Sequence, residues 1–241
     1  MMLTSERTIY MDIQIVKDQY KELISSKDPF ENIFAFKESL LSSDSDAFLD
    51  FHLSILKDRT DEAIYNTLRS FFNQRKDKTK TEEFLYNQYK SGIEDITLEA
   101  DVIQILGHLR SKYAMPVALE NLNADKGDLR YRSIIVLGWI GTAADLVQLH
   151  ERLLNDKDPN LRGFAATAMR QIWFNHPKTK DKILSCIKDA IFSEKSEEAL
   201  QGMVLTVQDL TKKKLGLKES KYGDVSGDIN AAKSKAIEAL Q

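Results

Sequence analysis

The most reactive side chains in this 241-residue chain are four histidines and one cysteine, and their spacing suits no reaction. His52, His108, His150 and His176 never fall at HxxxH or HxxE spacing on one helix, so no metal centre and no cofactor are expected. Cys186 stands alone, which excludes an intrachain disulfide and a zinc ribbon. Next to Leu184 and Ile187 on the apolar side of its segment, it reads as a small buried hydrophobe. Asp224-Val-Ser226-Gly-Asp228 has the outline of a calcium loop but lacks the third-position ligand and the closing Glu, so it reads as a Gly/Asp turn. No serine sits in a nucleophile elbow and no glycine-rich phosphate loop occurs, so the chain is not expected to be an enzyme. What remains is recognition chemistry. Tyr131, Ile135 and Trp139 stand four apart, in one column on one helical face, with Arg132 and Phe164 beside it. Tyr, Trp and Arg are the types that dominate interface hot spots.

The elements that must position this column are written as a repeat. LEADVIQILGHLR, LRYRSIIVLGWIG and LRGFAATAMRQIW follow one another between Leu98 and Trp173. Leu106-Gly107 returns as Leu137-Gly138 and Leu129-Arg130 returns as Leu161-Arg162, a period of just over thirty residues. Such a period marks stacked helix pairs, and the expected fold is all-α, an α-solenoid. The second helix of each pair is expected over 114–122, 143–154 and 179–192, with a weaker fourth pair over 197–215. The positions equivalent to the column are Ala100, Asp101, Gln104 and His108 before it, and Gly163, Phe164, Thr167 and Gln171 after it. Stacked in register, they would line an inner, concave surface. The candidate partner-binding residues are therefore Tyr131, Arg132, Ile135, Trp139, Phe164, Gln104, His108, Asp101, Thr167 and Gln171. The alternative at this point is that another helix, such as the one expected over Ile229–Leu240, covers the cluster.

The rest of the chain is also helical in pattern. Helices are expected from Ile9 to Ile24, after the Asp28-Pro29 cap, from Ala47 to Leu56, after Asp61, and from Glu82 to Lys90. NQRKDKTKT, residues 73–81, reads as a solvated polar loop, and GLKESKYGDVSGD, residues 216–228, as another. No strand is expected, and only 10 Gly and 4 Pro argue against a turn-rich β fold. The organisation expected is diverged helical repeats over 1–95, regular repeats over 96–215, and a loop with a capping helix over 216–241. A net charge of −3 gives no bulk basic footprint, so no nucleic-acid partner is expected on composition. Without a signal peptide or an apolar run long enough to span a bilayer, the expectation is a cytoplasmic protein with no membrane partner, monomeric when unbound.

Asp156-Lys-Asp-Pro-Asn-Leu161-Arg162 followed by GFAATAMRQI resembles the HEAT-like repeats of the phycobilisome-lyase type. Leu129-Arg130, Ser133-Ile134, Val136-Leu137-Gly138 and Ile140-Gly141 match the same pattern, while the first copy has Glu99 where the arginine should be. The resemblance implies a curved right-handed superhelix. Asp156, six residues before Arg162, can cap the helix start or pair with an arginine of the adjacent unit, and Arg130, Arg162 and Asp156 are expected to be structural ladder residues rather than ligand contacts. Small free-standing proteins of this type resemble bacterial immunity proteins, inhibitors that neutralise a toxin delivered by a neighbouring cell. The partner expected from this is another protein, a toxin domain such as a basic nuclease, to which acidic residues at Glu94, Asp95, Glu99 and Asp101 would be complementary. Other readings of the same resemblance are a scaffold or assembly chaperone, or an enzyme of the bilin-lyase or DNA-glycosylase kind.

Overall fold

Aspartates start the helices of the N-terminal part of the chain. In the computed structural model, which describes residues 12–241, Asp12, Asp28, Asp61 and Asp77 each accept a hydrogen bond from a backbone N–H two or three residues on. Each satisfies an otherwise orphaned donor of the first turn. They open α1 (Ile13–Ser25), α2 (Pro29–Leu40), α4 (Glu62–Phe71) and α5 (Lys78–Ser91), while α3 (Asp46–Ile55) follows Ser45. Ile9, where the first helix was expected to begin, lies outside the described residues. The chain divides into two compact units, Met1–Glu94 and Asp95–Gln241. In the first, α1 packs on α2 and α3, α2 on α4, and α3 on α5, around Ile33, Leu40, Leu49, Leu56, Leu68, Phe72 and Leu85.

Residues 73–81 are not the solvated loop expected from their composition. A short 3-10 turn, Phe72–Gln74, carries the chain into Arg75, and α5 begins four residues earlier than expected because Asp77 caps it. Arg75 is 1% exposed. Its guanidinium donates to the carbonyls of Ser43, Leu40 and Phe48, to Asp44 Oδ1 at 3.1 Å and, through Nε, to His52 Nδ1 at 3.2 Å. His52 lies flat on Phe72, and its Nε2 is 2.9 Å from the Leu68 carbonyl. A carbonyl on one side and a guanidinium on the other fix the tautomer: Nε2 carries the proton and Nδ1 accepts. Burial first, and then the Arg75 charge, hold the imidazole well below its ordinary pKa. The unfolded chain thus takes up a proton below about pH 6.5 that the folded chain refuses. Stability should be flat above that pH and fall as pH drops below it, with a slope approaching ~1.4 kcal/mol per pH unit. Urea unfolding monitored between pH 5 and 8 checks this; a midpoint independent of pH across that window would mean that His52 accepts a proton in place.

The second unit is a succession of helix pairs: α6 (Ile96–His108), α7 (Ala114–Asn121), α8 (Gly127–Ile140), α9 (Leu146–Asn155), α10 (Pro159–Asn175), α11 (Lys180–Ile191), α12 (Glu197–Thr211) and α13 (Ile229–Ala239). α8 packs on α6, α10 on α8 and α12 on α10, while α7, α9 and α11 lie against the first helices of the pairs. The α10–α12 contact is the tightest, because Gly163 and Gly202 bring the two backbones together. A Cβ on Gly202 would strike the Gly163 backbone, so no larger residue fits without moving a helix. Thr206 Oγ1 is shared between the carbonyls of Ala166 and Gly202 across the same contact.

The arginines of the repeat sit between pairs. Arg130 donates from Nε and Nη2 to the two oxygens of Asp156, at 2.9 and 3.0 Å, and from Nη1 to the carbonyls of Ala124 and Asp125. Arg162 makes the same double contact with Glu194 and donates to the Asp156 carbonyl. Glu194 stands in the loop before α12 as Asp156 does before α10, each also accepting a backbone N–H two residues on. In the first copy, burial and then Glu120 push the Glu99 carboxyl above its ordinary pKa.

Contrary to the strandless expectation, residues 216–228 contain a minimal hairpin in which Lys218–Glu219 pair antiparallel with Val225–Ser226. Two residues per strand leave no alternation to read, and the turn relies on Gly223 at φ +91°. Asp224 accepts from the Ser220 hydroxyl and Asp228 caps α13, so the outline of a calcium loop is filled by turn and cap hydrogen bonds. α13 packs on α12 and α11. No helix among the described residues is long and apolar enough to cross a membrane.

Candidate functional site

α8 buries Leu129, Arg130, Ser133, Ile134, Val136, Leu137 and Gly138, and leaves Tyr131, Arg132, Ile135 and Trp139 half-buried along one side. That division follows from the 3.6-residue period: the repeat pattern occupies the face toward α6 and α10, and residues four apart collect on the other. The neighbouring helices complete two aromatic clusters. Phe164, from the first turns of α10, is 39% exposed, with its ring 4.7 Å from that of Tyr131. Arg132 lies over the Tyr131 ring at 5.1 Å. At the other end of the column, exposed His108 of α6 meets Trp139 at 4.1 Å between ring centroids. Thr167 and Gln171 of α10 are half-buried along the same line.

Two of the expected contact residues are not on this surface. Asp101 is 0% exposed, with Arg132 Nη2 at 3.9 Å from its carboxylate, and Gln104 is 8% exposed. α6 is buried over most of its circumference, so the positions that are peripheral on α8 and α10 are interior on α6. Burial of Asp101 also removes part of the expected acidic surface, and Asp95 is used as the N-cap of α6. Ala100 and Gly163 are buried as well.

The structure adds residues that the repeat did not indicate. A cleft of about 420 Å³ opens at the C-terminal ends of α6, α8 and α10, lined by His108, Arg110, Trp139, Gln171, Phe174 and Asn175 with Gly107 and Gly138 at its floor. Phe174 is 60% exposed and packs beside Trp173 at 5.0 Å. The signal for Phe174 was present but indirect. The second copy of the repeat stops at Gly141, which caps α8, whereas the third has Trp173 in that register and no glycine. α10 therefore continues to Asn175, and Phe174, three residues beyond Gln171, extends the column. Another cleft, of about 350 Å³, lies between α1 and α2 with Gln19, Glu22 and Asn32 on its walls. Its walls mix these polar groups with Leu23, Ala35 and Phe36, and Phe36 is the one aromatic side chain in its lining.

Cys186 is buried, and burial followed by the Asp189 charge raises its thiol pKa, which disfavours the nucleophilic thiolate. His150 is 3.3 Å from Asp189, and among the described residues no group of His, Cys, Asp and Glu is placed to hold a metal ion. No protein-family model matches the chain, and no curated protein matches it.

Proposed function

We propose that this protein is a binding protein without catalytic activity, which holds a partner protein on the exposed side of α8 and α10, and that its second unit is an α-solenoid of HEAT-like pairs with this side as its concave face. The observation that carries the reading is the column itself. Tyr131, Ile135, Trp139, Phe164 and Phe174 form a run of large apolar side chains that stays accessible, while Arg130, Arg162 and the small residues of the same helices are consumed by packing. A central aromatic and aliphatic cluster beside Arg132, with polar Thr167 and Gln171 at its margin, has the anatomy of a protein-binding patch. Inhibition of a toxin, the role of an immunity protein, is the use we assign to this capture; the repeat resemblance and the small size of the chain support it.

The test is capture of a partner from the native cell by tagged wild type and by Tyr131→Ala/Trp139→Ala, with circular dichroism as the folding control. The wild type should retain one discrete protein, and the folded double variant should lose it by about 30-fold or more in affinity, as expected for hot-spot aromatics. A folded variant that retains the partner unchanged would place the binding face elsewhere. The retained protein, expressed alone, should arrest growth, and co-expression with this chain should relieve the arrest.

A further inference from the structure

The second unit carries an excess of exposed cations at the C-terminal ends of its first helices, and this excess identifies the chemistry of the partner; this inference rests on the binding reading above. At the N-terminal ends of the first helices, acids are turned to internal use. Asp95 and Asp158 cap α6 and α10, while Asp156 and Glu194 hold Arg130 and Arg162. At the opposite ends, cations project. Arg110 follows α6, Lys178 follows α10, and Lys212, Lys213 and Lys214 follow α12; all five are exposed, and none forms an ion pair with a described residue. Most of the acids at this end are already engaged, and Asp181, exposed in the first turn of α11, is the exception. Asp145 accepts from Thr142 N and Oγ1, and Asp209 and Glu219 both take Arg170. A net charge of −3 for the whole chain therefore conceals a cationic edge.

Helix C-termini favour nearby cations, so one lysine or arginine at each end has a folding reason. Three successive lysines beyond α12, the first in a left-handed conformation at φ 58°, exceed that need. They also adjoin the aromatic row. Lys212 Nζ stands 4.7 Å over the Trp173 ring, Trp173 packs on Phe174, and Phe174 shares the cleft with Trp139, His108 and Arg110. We propose that the partner docks an acidic polypeptide segment along this edge, its carboxylates against Arg110 and the 212–214 lysines and one apolar or aromatic side chain seated in the cleft beside Trp139 and Phe174. Single-stranded nucleic acid offers the same charge but fits the aromatic geometry less well. The rings lie tilted against one another, at 42° in both the His108–Trp139 and Trp173–Phe174 pairs. They close on each other and leave one notch, where successive bases need successive open faces.

Trp139 and Trp173 are the only tryptophans in the chain, and both lie on this edge, so intrinsic fluorescence reads the site directly. The full chain is titrated with a short glutamate-rich peptide carrying one central phenylalanine, with the same peptide bearing serine in its place, with a lysine-rich peptide, and with an oligothymidylate of similar length. The phenylalanine-bearing acidic peptide should shift the emission, bind about tenfold more tightly than its serine counterpart and weaken with added salt. Lys212→Glu/Lys213→Glu/Lys214→Glu should weaken it by about tenfold or more without changing the circular dichroism spectrum, and Arg110→Glu provides a second charge reversal if the triple variant fails to fold. No response to the acidic peptide, or a response untouched by the folded charge reversals, overturns the proposal. Tighter binding of oligothymidylate also overturns it and reassigns the edge to nucleic acid. The two layers of the argument separate on the captured partner. A partner lost by Trp139→Ala but kept by the lysine variant leaves the face standing and removes its acidic ligand, whereas a partner kept by both removes the face.

Discussion

Arg75→Met should destabilise the first unit by roughly 3–5 kcal/mol, the largest effect expected from any single substitution there. The arginine is 1% exposed and is the shared donor for three carbonyls, one carboxylate and one imidazole nitrogen. Methionine has similar length and volume, so the loss is not one of packing. It strands the buried Leu40 carbonyl, takes a donor from the half-buried Ser43 carbonyl and from Phe48, leaves Asp44 with only the Asp77 N–H, and leaves His52 Nδ1 without a donor. Unsatisfied buried acceptors cost about 1–3 kcal/mol each when no water replaces the lost donor. Burial lowers the Arg75 pKa and Asp44 partly opposes this, but a guanidinium stays charged across the physiological range. Arg75→Lys should recover little, because one ammonium cannot reach acceptors arranged around a planar fork. Urea unfolding followed by far-ultraviolet circular dichroism measures the effect. An Arg75→Met midpoint within error of wild type would mean that these acceptors find other partners and that the buried arginine is dispensable.

The contrast between Arg75 and the repeat shows what a single sequence discloses. The helix pairs of the second unit were legible because each was written more than once, and Leu-Arg and Leu-Gly at a fixed spacing carry information that no isolated helix has. The helices of the first unit were legible as helices, through aspartate caps and apolar spacing at residues such as Ile33, Phe36, Leu68 and Phe71. Their interior was not. Arg75 stands in NQRKDKTKT, where composition indicates solvent, and only the carbonyls delivered by α2, α3 and the loop between them, from more than twenty residues away, make its burial favourable. His52 looked isolated for the same reason, since its partners Leu68 and Arg75 are distant in sequence. For the candidate face, the column on α8 could be placed by period alone, and Tyr131, Ile135 and Trp139 do share a side. Extending the period to α6 misplaced Asp101 and Gln104, because exposure depends on what lies against a helix and not on its own pattern. Extending it past Gln171 would have found Phe174, had the missing glycine been read as a longer helix. The cationic edge was hidden by summation: net charge counts acids that are committed to caps and ladders equally with lysines that are not.

Asp156→Ala should cost the second unit about 3–5 kcal/mol, and the reason is the charge it leaves behind. Its carboxylate is fully enclosed and faces an Arg130 guanidinium that is 3% exposed, with Arg152 Nη1 at 3.6 Å and the Asp158 N–H on the same oxygens. Removing it strands a buried cation between α8 and the start of α10. Removing both charges should be far milder. Arg130→Met/Asp156→Leu replaces the pair with apolar groups, so the two charges are no longer desolvated, and its stability should lie within ~1–2 kcal/mol of wild type. A double-mutant cycle in urea, using the tryptophan emission of Trp139 and Trp173, therefore has a clear expected form: a large loss for each single variant and a strongly favourable coupling between them. Additive losses would show that Arg130 and Asp156 act through separate neighbours and that the ladder is not a pairwise device. Arg162→Met should cost less, because its partnership with Glu194 is more open to solvent. The cycle also bears on recognition. Arg130 fixes α8 to the loop that launches α10, and these two helices carry Trp139 and Phe174; if the pair sets only stability, the apolar double variant will bind the acidic peptide as wild type does. If it sets the spacing of the two helices, peptide affinity will fall in the double variant although its fold and stability are retained.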